Sequence, residues 1–247
     1  MTNTRWIETF LEAAQAELAS SDNTILAYGR DLLDFAAFLT RKASDFAQAD
    51  RALIESYLIA LDHAGLAQST RARRLSAIRQ LYRFAYEEGW RTDNPSAQIK
   101  GPRKVKSLPK TLTEQDVNAM LAAAATIGRN QTDKTRNACL FQLLYATGMR
   151  VSELVSLPVA AARGHPEMLL IKGKGGKERM VPLSPPARLA LSDWLGARDA
   201  AQELGRKQGK PASKFLFPGP SKLGYLTRIR FYTLVKEVAV AANIAPQ

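Results

Sequence analysis

Two short stretches of this chain carry residue types that can act on a phosphate. In Ala146-Thr147-Gly148-Met149-Arg150-Val151-Ser152-Glu153-Leu154, an arginine follows a Thr-Gly pair and a glutamate stands three positions beyond it. Glycine tolerates the left-handed conformation that closes a helix. Arg150 is therefore expected at a chain reversal, with its guanidinium free to reach into a cleft. A planar guanidinium gives two parallel charge-assisted bonds to anionic oxygens. If the chain turns helical again, Glu153 is a same-face neighbour able to fix Arg150 in one rotamer. The second stretch, Ile171-Lys172-Gly173-Lys174-Gly175-Gly176-Lys177-Glu178-Arg179, reads as a hairpin. Its strands are Met168 to Lys174 and Glu178 to Leu183, around a Gly-Gly turn of the kind tight hairpins require. Lys174 then lies near the tip. Neighbouring cations lower a lysine's pKa and suit it to give up a proton, and Lys172, Lys177 and Arg179 surround Lys174 here. Lys172 and Lys177 remain open as the acid on these grounds alone.

The two stretches, ATGMRVSELVSL and IKGKGGKERMVPLS, resemble in order and separation the first two active-site boxes of the tyrosine site-specific recombinases of the phage integrase family. The likeness is nearest to the Xer type, and TGMRVSELVSL leans toward its D-type subunit. The resemblance implies that Arg150 is the first catalytic arginine and Glu153 its buried support. It aligns Lys174 with the glycine-flanked lysine that protonates the leaving oxygen. It also implies a 3′-phosphotyrosyl intermediate formed without metal, ATP or another cofactor, and the chain has no Walker loop or carboxylate cluster for magnesium. The family carries a His-x-x-Arg box, a further His or Trp and the nucleophilic Tyr on helices beyond the point where this sequence stops. The histidines here are His63 and His165, and neither has an arginine three residues on. The expectation is a C-terminally truncated catalytic domain that binds DNA and is inactive alone. Tyr225 and Tyr232 precede the place for that box and are expected at a strand edge or in the core.

Composition agrees with a polyanionic partner. The 247 residues carry a formal charge of +12 and are 46% hydrophobic, enough apolar material for one large or two ordinary domains. Lys and Arg stand 12 against 13 Asp and Glu in residues 1–100, and 23 against 10 in residues 101–247. The surplus thus lies wholly in the second part. No basic amphipathic anchor, secretory segment or run of membrane-spanning length is visible, so nucleic acid in the cytoplasm is the better match. The one cysteine, Cys139, sits in an apolar run, which excludes a disulfide within the chain and reads as core.

The elements that must position these residues are mostly helical. Apolar residues at helical spacing predict helices over residues 5–19, from Asn23-Thr24 to Leu39, from Ala49 to His63, and from a Ser69-Thr70 cap to Glu88, before Gly89. These make a four-helix bundle over residues 1–100. A proline- and lysine-rich segment, residues 101–110, reads as an extended basic linker. In residues 111–247, Thr113 to Asp116 match a capping box that opens a helix, and another helix runs from Thr132-Asp133 through Tyr145 to deliver Arg150. After the hairpin, Pro185-Pro186 opens a helix, Gly205 to Lys214 is loop, Phe215 to Phe217 a short strand, and Leu226 to Asn243 a last helix. The fold class is mainly α: an N-terminal helical domain, which the resemblance makes core-binding and SAM-like, and an α+β catalytic domain with a small antiparallel sheet.

The fourth helix carries Arg71, Arg73, Arg74, Arg79 and Arg83 with no acid on it until Glu87. On a helical wheel Arg73, Arg79 and Arg83 face away from the apolar sector, while Arg71 and Arg74 sit at its amino-terminal end, a layout suited to phosphate and base contact. NTILAYGRDL and STRARRLSAIRQLYRFAYEEGW resemble the family's second and fourth helices, which cross DNA. The resemblance adds Asn23, Thr24, Tyr28 and Arg30, with Tyr28 open between contact and core, and on the hairpin Lys172, Lys177 and Arg179. It further implies a tetramer of two related subunits on double-stranded DNA with inverted half-sites, resolution of chromosome dimers before cell division, and a DNA translocase as a further partner. The alternative is a non-catalytic duplex-binding module. An RNA-binding helical protein would explain the charge but not the two boxes.

Overall fold

The computed structural model describes residues 1–16, 21–102, 111–164, 166–173, 176–209 and 211–244. The chain divides into two compact units, Met1–Leu108 and Pro109–Gln247. Most of the expected linker, including Arg103, Lys104 and Lys106, lies outside the described residues.

The first unit is built from α1 (Asn3–Ala16), α2 (Asp22–Arg41), α3 (Arg51–His63) and α4 (Gln68–Glu87). Each buries one stripe, and the stripes meet in a core that includes Phe10, Leu32, Phe35, Phe46, Ile54, Tyr57, Ile78 and Tyr82. Local chemistry sets the helix ends. Asp50 accepts from Leu53 N at 2.9 Å and caps α3. Gly65, at φ +72°, lets the chain leave α3, with Leu66 N donating to Leu61 O at 3.1 Å. That tight exit starts α4 at Gln68 rather than at the expected Ser69-Thr70 cap. Its N-cap is Ala67, which offers no side-chain acceptor, and Ser69 and Thr70 fall in the first turn.

The second unit is arranged around α6 (Gln131–Thr147), which packs on α5 (Glu114–Ala124), α7 (Val151–Val155) and α8 (Pro185–Lys207). Such enclosure explains why its apolar residues do not form a single stripe: Cys139, Leu140, Phe141 and Leu143 are all buried. Thr113 Oγ1 accepts from Asp116 N at 3.1 Å and Asp116 Oδ2 from Thr113 N at 2.9 Å, the expected capping box on α5. Ser184 caps α8 ahead of Pro185-Pro186, where missing N–H groups cost nothing. A two-stranded antiparallel sheet, β1 (Met168–Lys172) and β2 (Glu178–Pro182), pairs Leu169 with Val181 and Ile171 with Arg179. The last helix, α9 (Arg228–Ala241), is capped by Thr227 and sets Phe231 and Leu234 into the same core.

Two other expectations change. Residues 215–217 form no strand. Isolated bridges join Pro158 to Phe215 and Pro218 to Tyr225, and prolines at both points lack the N–H that would extend a ladder. The segment is nevertheless fixed, because Trp194 Nε1 donates to Leu216 O at 3.0 Å and its ring stacks on Phe217. The polar stretch expected as loop from Gly205 is helical through Lys207. Arg206 pairs with Glu203 at 3.1 Å, and Arg206 and Lys207 lie in the last turn, where cations complement the helix dipole. Leu140→Ala, at a fully buried position of α6, is expected to lower stability by about 2–5 kcal/mol in urea unfolding; a loss below about 1 kcal/mol would contradict close packing there.

Candidate active site

The site of the second unit begins where α6 stops. Gly148, at φ +58°, ends the helix with its N–H donating to Leu144 O at 3.0 Å, the reversal its sequence implies. Arg150 follows in extended conformation as N-cap of α7, and Glu153 sits in the first turn of that helix. The Glu153 carboxylate reaches back to the cap. Its Oε2 accepts from Arg150 backbone N at 2.8 Å and its Oε1 from Arg150 Nη1 at 2.9 Å. This is half of a capping box, since arginine has no acceptor with which to reciprocate.

Glu153 also meets the hairpin. Arg179 approaches it with both terminal nitrogens, Nη2 to Oε2 at 2.7 Å and Nη1 to Oε1 at 3.2 Å. The four sites of the carboxylate are thus filled by one backbone and three guanidinium donors. These bonds hold the Glu153 carboxyl at about 2, far below the usual glutamate range; the Arg179 bond contributes most, and the Arg150 bonds add to it against the opposing effect of burial. The Glu153 side chain is only 6% exposed, whereas that of Arg150 is 66% exposed. Buried support and accessible cation are therefore adjacent. One carboxylate between two guanidiniums leaves a net positive charge, and among the described residues Arg150 keeps donors free for an anion.

The hairpin is narrow where it passes this pair. Gly173 N donates to Lys177 O at 2.7 Å, and a Cβ on Gly173 would lie 3.2 Å from Arg179 Nη1 and 3.4 Å from Glu153 Oε1. Lys172 and Lys177 are exposed. Lys174, expected near the tip, lies outside the described residues, as does His165. Cys139 is fully buried and burial pushes its thiol well up, in keeping with a core residue. Tyr225 packs edge-on against Phe215 at 4.7 Å, as expected for a strand-edge or core residue. Tyr232 does not: it is 58% exposed on α9, with Lys236 Nζ 4.7 Å from its ring centre. Tyr232 is spaced three from Ile229, which is itself exposed, and thus shares the outer face of α9.

In the first unit, three arginines near the start of α4 have acidic partners on other helices. Arg71 pairs with Asp62 at 2.6 Å, Arg73 with Asp31, and Arg74 with Asp34 and the Tyr57 hydroxyl. Arg79 donates to Ile99 O and Arg83 to Glu87. Arg73 is 44% exposed and its partner Asp31 almost wholly buried, so the carboxylate anchors a cation that still faces water. Burial raises the Asp31 carboxyl, while Arg73, Arg74 and Arg30 pull it down. Asp31 and Asp34 escape the sequence reading, although Asp31 gives a signal. It stands three residues after Tyr28 and four before Phe35, inside the apolar stripe of α2, where a lone acid needs a partner. On α2, Asn23 and Arg30 are exposed, Thr24 contacts Ser21 Oγ at 3.0 Å, and Tyr28 is half-buried, its ring stacked 6.4 Å from Phe10. Tyr28 thus belongs largely to the core.

Residues 110–247 match the phage integrase family, and residues 7–89 match the phage integrase N-terminal SAM-like domain. The tyrosine recombinase XerD of Caulobacter vibrioides is 42% identical over 242 residues, covering 98% of this chain and 77% of that protein. Its counterpart in Bradyrhizobium diazoefficiens is 43% identical over 95% of this chain and 76% of its own. A crystal structure of XerH site-specific recombinase bound to difH substrate, a pre-cleavage complex, superposes with a TM-score of 0.67 at 20% identity, covering all of this chain and 69% of that one.

Because the folded Glu153 carboxyl lies below its ordinary value of 4.5, the stability it supplies is present above that pH and lost as pH falls toward about 2. The advantage of the parent over Glu153→Gln in thermal unfolding is expected to be full above about pH 4.5 and to shrink toward about pH 2. Parallel stability profiles across that window would contradict the ion-pair assignment.

Proposed function

The chain belongs to the phage integrase family of tyrosine recombinases, with Xer-type D relatives, and on that premise we propose that it serves site-specific DNA recombination by cleavage and rejoining through a 3′-phosphotyrosyl intermediate. The observation that carries this reading is Arg150: its side chain is largely exposed while its backbone N and one terminal nitrogen are fixed by the buried Glu153. In the reaction, negative charge gathers on the non-bridging oxygens of the attacked phosphate. A guanidinium already held in place stabilises that charge without having to reorganise. Lys174 is the proton donor to the departing 5′ oxygen in this reading, and Glu153 supports Arg150 without touching DNA.

Duplex DNA is the partner. Helices α2 and α4 contact it through the exposed Asn23, Arg30 and Arg73 and the half-buried Thr24, Arg71 and Arg74, with Tyr28 at the edge, and the hairpin contributes Lys172 and Lys177. The carboxylates beside the arginines then act as anchors that phosphates share or displace. We assign the chain to the resolution of chromosome dimers at cell division, in the cytoplasm, as part of a tetramer with a related recombinase on inverted half-sites and under a DNA translocase. Its relatives named XerD support the assignment.

A second reading is duplex binding without cleavage by residues 1–247 themselves. A nicked duplex carrying a paired site separates the two. It is offered to residues 1–247 and to the whole reading frame that encodes them. A covalent 3′-phosphotyrosyl adduct from the reading frame supports the recombinase, and binding without an adduct from either supports the second reading. In any form that cleaves, Arg150→Ala is expected to slow single-turnover cleavage on the order of 10²–10³-fold while leaving duplex affinity within about threefold; normal cleavage would remove Arg150 from the mechanism. Arg73→Ala is expected to reduce the slope of log affinity against log salt by about one, and an unchanged slope would return Arg73 to a solvated face.

A further inference from the structure

The side chains of β2 alternate between two faces, and the alternation separates Arg179 from the other cations of the hairpin. Arg179 and Val181 are half-buried, while Glu178, Met180 and Pro182 are exposed. Across the ladder Arg179 stands opposite Ile171, which is 1% exposed, whereas Glu178 stands opposite the exposed Lys172. Arg179 thus shares the inward face that anchors the hairpin to the core, and both of its terminal nitrogens are spent on Glu153. The same carboxylate holds Arg150 by backbone and side chain. Gly173 permits this approach, since a side chain there would crowd the Arg179 guanidinium.

We infer that Arg179 is a positioning residue: it docks the lysine-bearing hairpin onto the carboxylate that orients Arg150, before any DNA is bound. A planar fork on a carboxylate fixes distance and angle together, which a lysine at this position cannot do. The hairpin is short, and a two-stranded ribbon alone is marginally stable, so an attachment at its second strand has a mechanical use. Placement of the hairpin and placement of Arg150 become one adjustment rather than two. The inference rests on the recombinase reading only for the use to which the hairpin is put.

The test is made on the 247-residue chain. Cys139 is buried, so a cysteine introduced by Lys177→Cys at the exposed face of the hairpin can be spin-labelled selectively. Without DNA, the label is expected to move faster in Arg179→Ala than in the parent. Arg179→Lys, which keeps the charge but loses the fork, is expected to give intermediate motion, and it serves as the variant of record where Arg179→Ala does not fold. In unlabelled proteins, the salt slope of duplex binding is expected to be the same in parent, Arg179→Lys and Arg179→Ala. An unchanged label spectrum in Arg179→Lys overturns the inference, as does a slope lowered by about one in Arg179→Ala, which would make Arg179 a phosphate contact. Because the label is read without DNA, failure of the parent to bind duplex would count against the recombinase reading and not against the docking role.

Discussion

The candidate site of the second unit depends on one carboxylate. Glu153 occupies the first turn of a five-residue helix, too short to hold its place by backbone bonds alone. It is nonetheless fixed by two arginines from different directions, one at its own helix start and one from the hairpin. A buried carboxylate without these partners would be strongly unfavourable, and two guanidiniums brought together without it would repel. The three groups therefore support one another. The arrangement leaves an excess positive charge on the accessible side, at Arg150. Helix stop, extended arginine and glutamate in the next turn are consequences of Gly148 and of spacing in a sequence of a few residues.

The first unit uses the same device at its surface. Its charges nearly cancel by count, yet Arg73 of α4 still faces water because its acidic partner sits beneath it on another helix. Asp31 is the clearest case, a buried acid joined to a cation that reaches water. Such pairs restrict the rotamers of long side chains in advance, which reduces the entropy lost when those side chains meet a ligand. They also set a competition, since a phosphate must do better than the carboxylate already in place. Balanced composition in one segment therefore does not mean an electrostatically neutral face.

Much of this was legible in the sequence where the cause is local. The capping box at Thr113, the Pro-Pro start of α8, the glycine stop before Arg150 and the hairpin strands all follow from side chains within a few residues of one another. The two boxes named the family from Arg150, Glu153 and Lys174, and the structure sets Glu153 against Arg150 as their spacing implies. What was not legible depends on distant partners. Arg179 looked like another cation beside Lys172 and Lys177 because its acceptor lies 26 residues earlier. Arg71, Arg73 and Arg74 of α4 looked unpaired because their acids come from α2 and α3. Residues 215–217 had strand composition, but prolines at 158 and 218 keep the pairing to single bridges. Tyr232 was expected at a strand edge or in the core because it precedes the place for the family's third box, whereas its position on α9 turns it to solvent.

The central claim, that Glu153 joins the arginine turn to the hairpin as one unit, is tested most directly by amide hydrogen exchange in Glu153→Gln. The amides to follow are Arg150, which donates to Glu153, and Gly173, which closes the hairpin on Lys177 O. If one carboxylate holds both, exchange accelerates together at Arg150 and through the hairpin, while the amides of α4 in the first unit keep their parent rates. Acceleration at Arg150 with an unchanged hairpin would contradict the claim and leave Glu153 as the support of a single arginine.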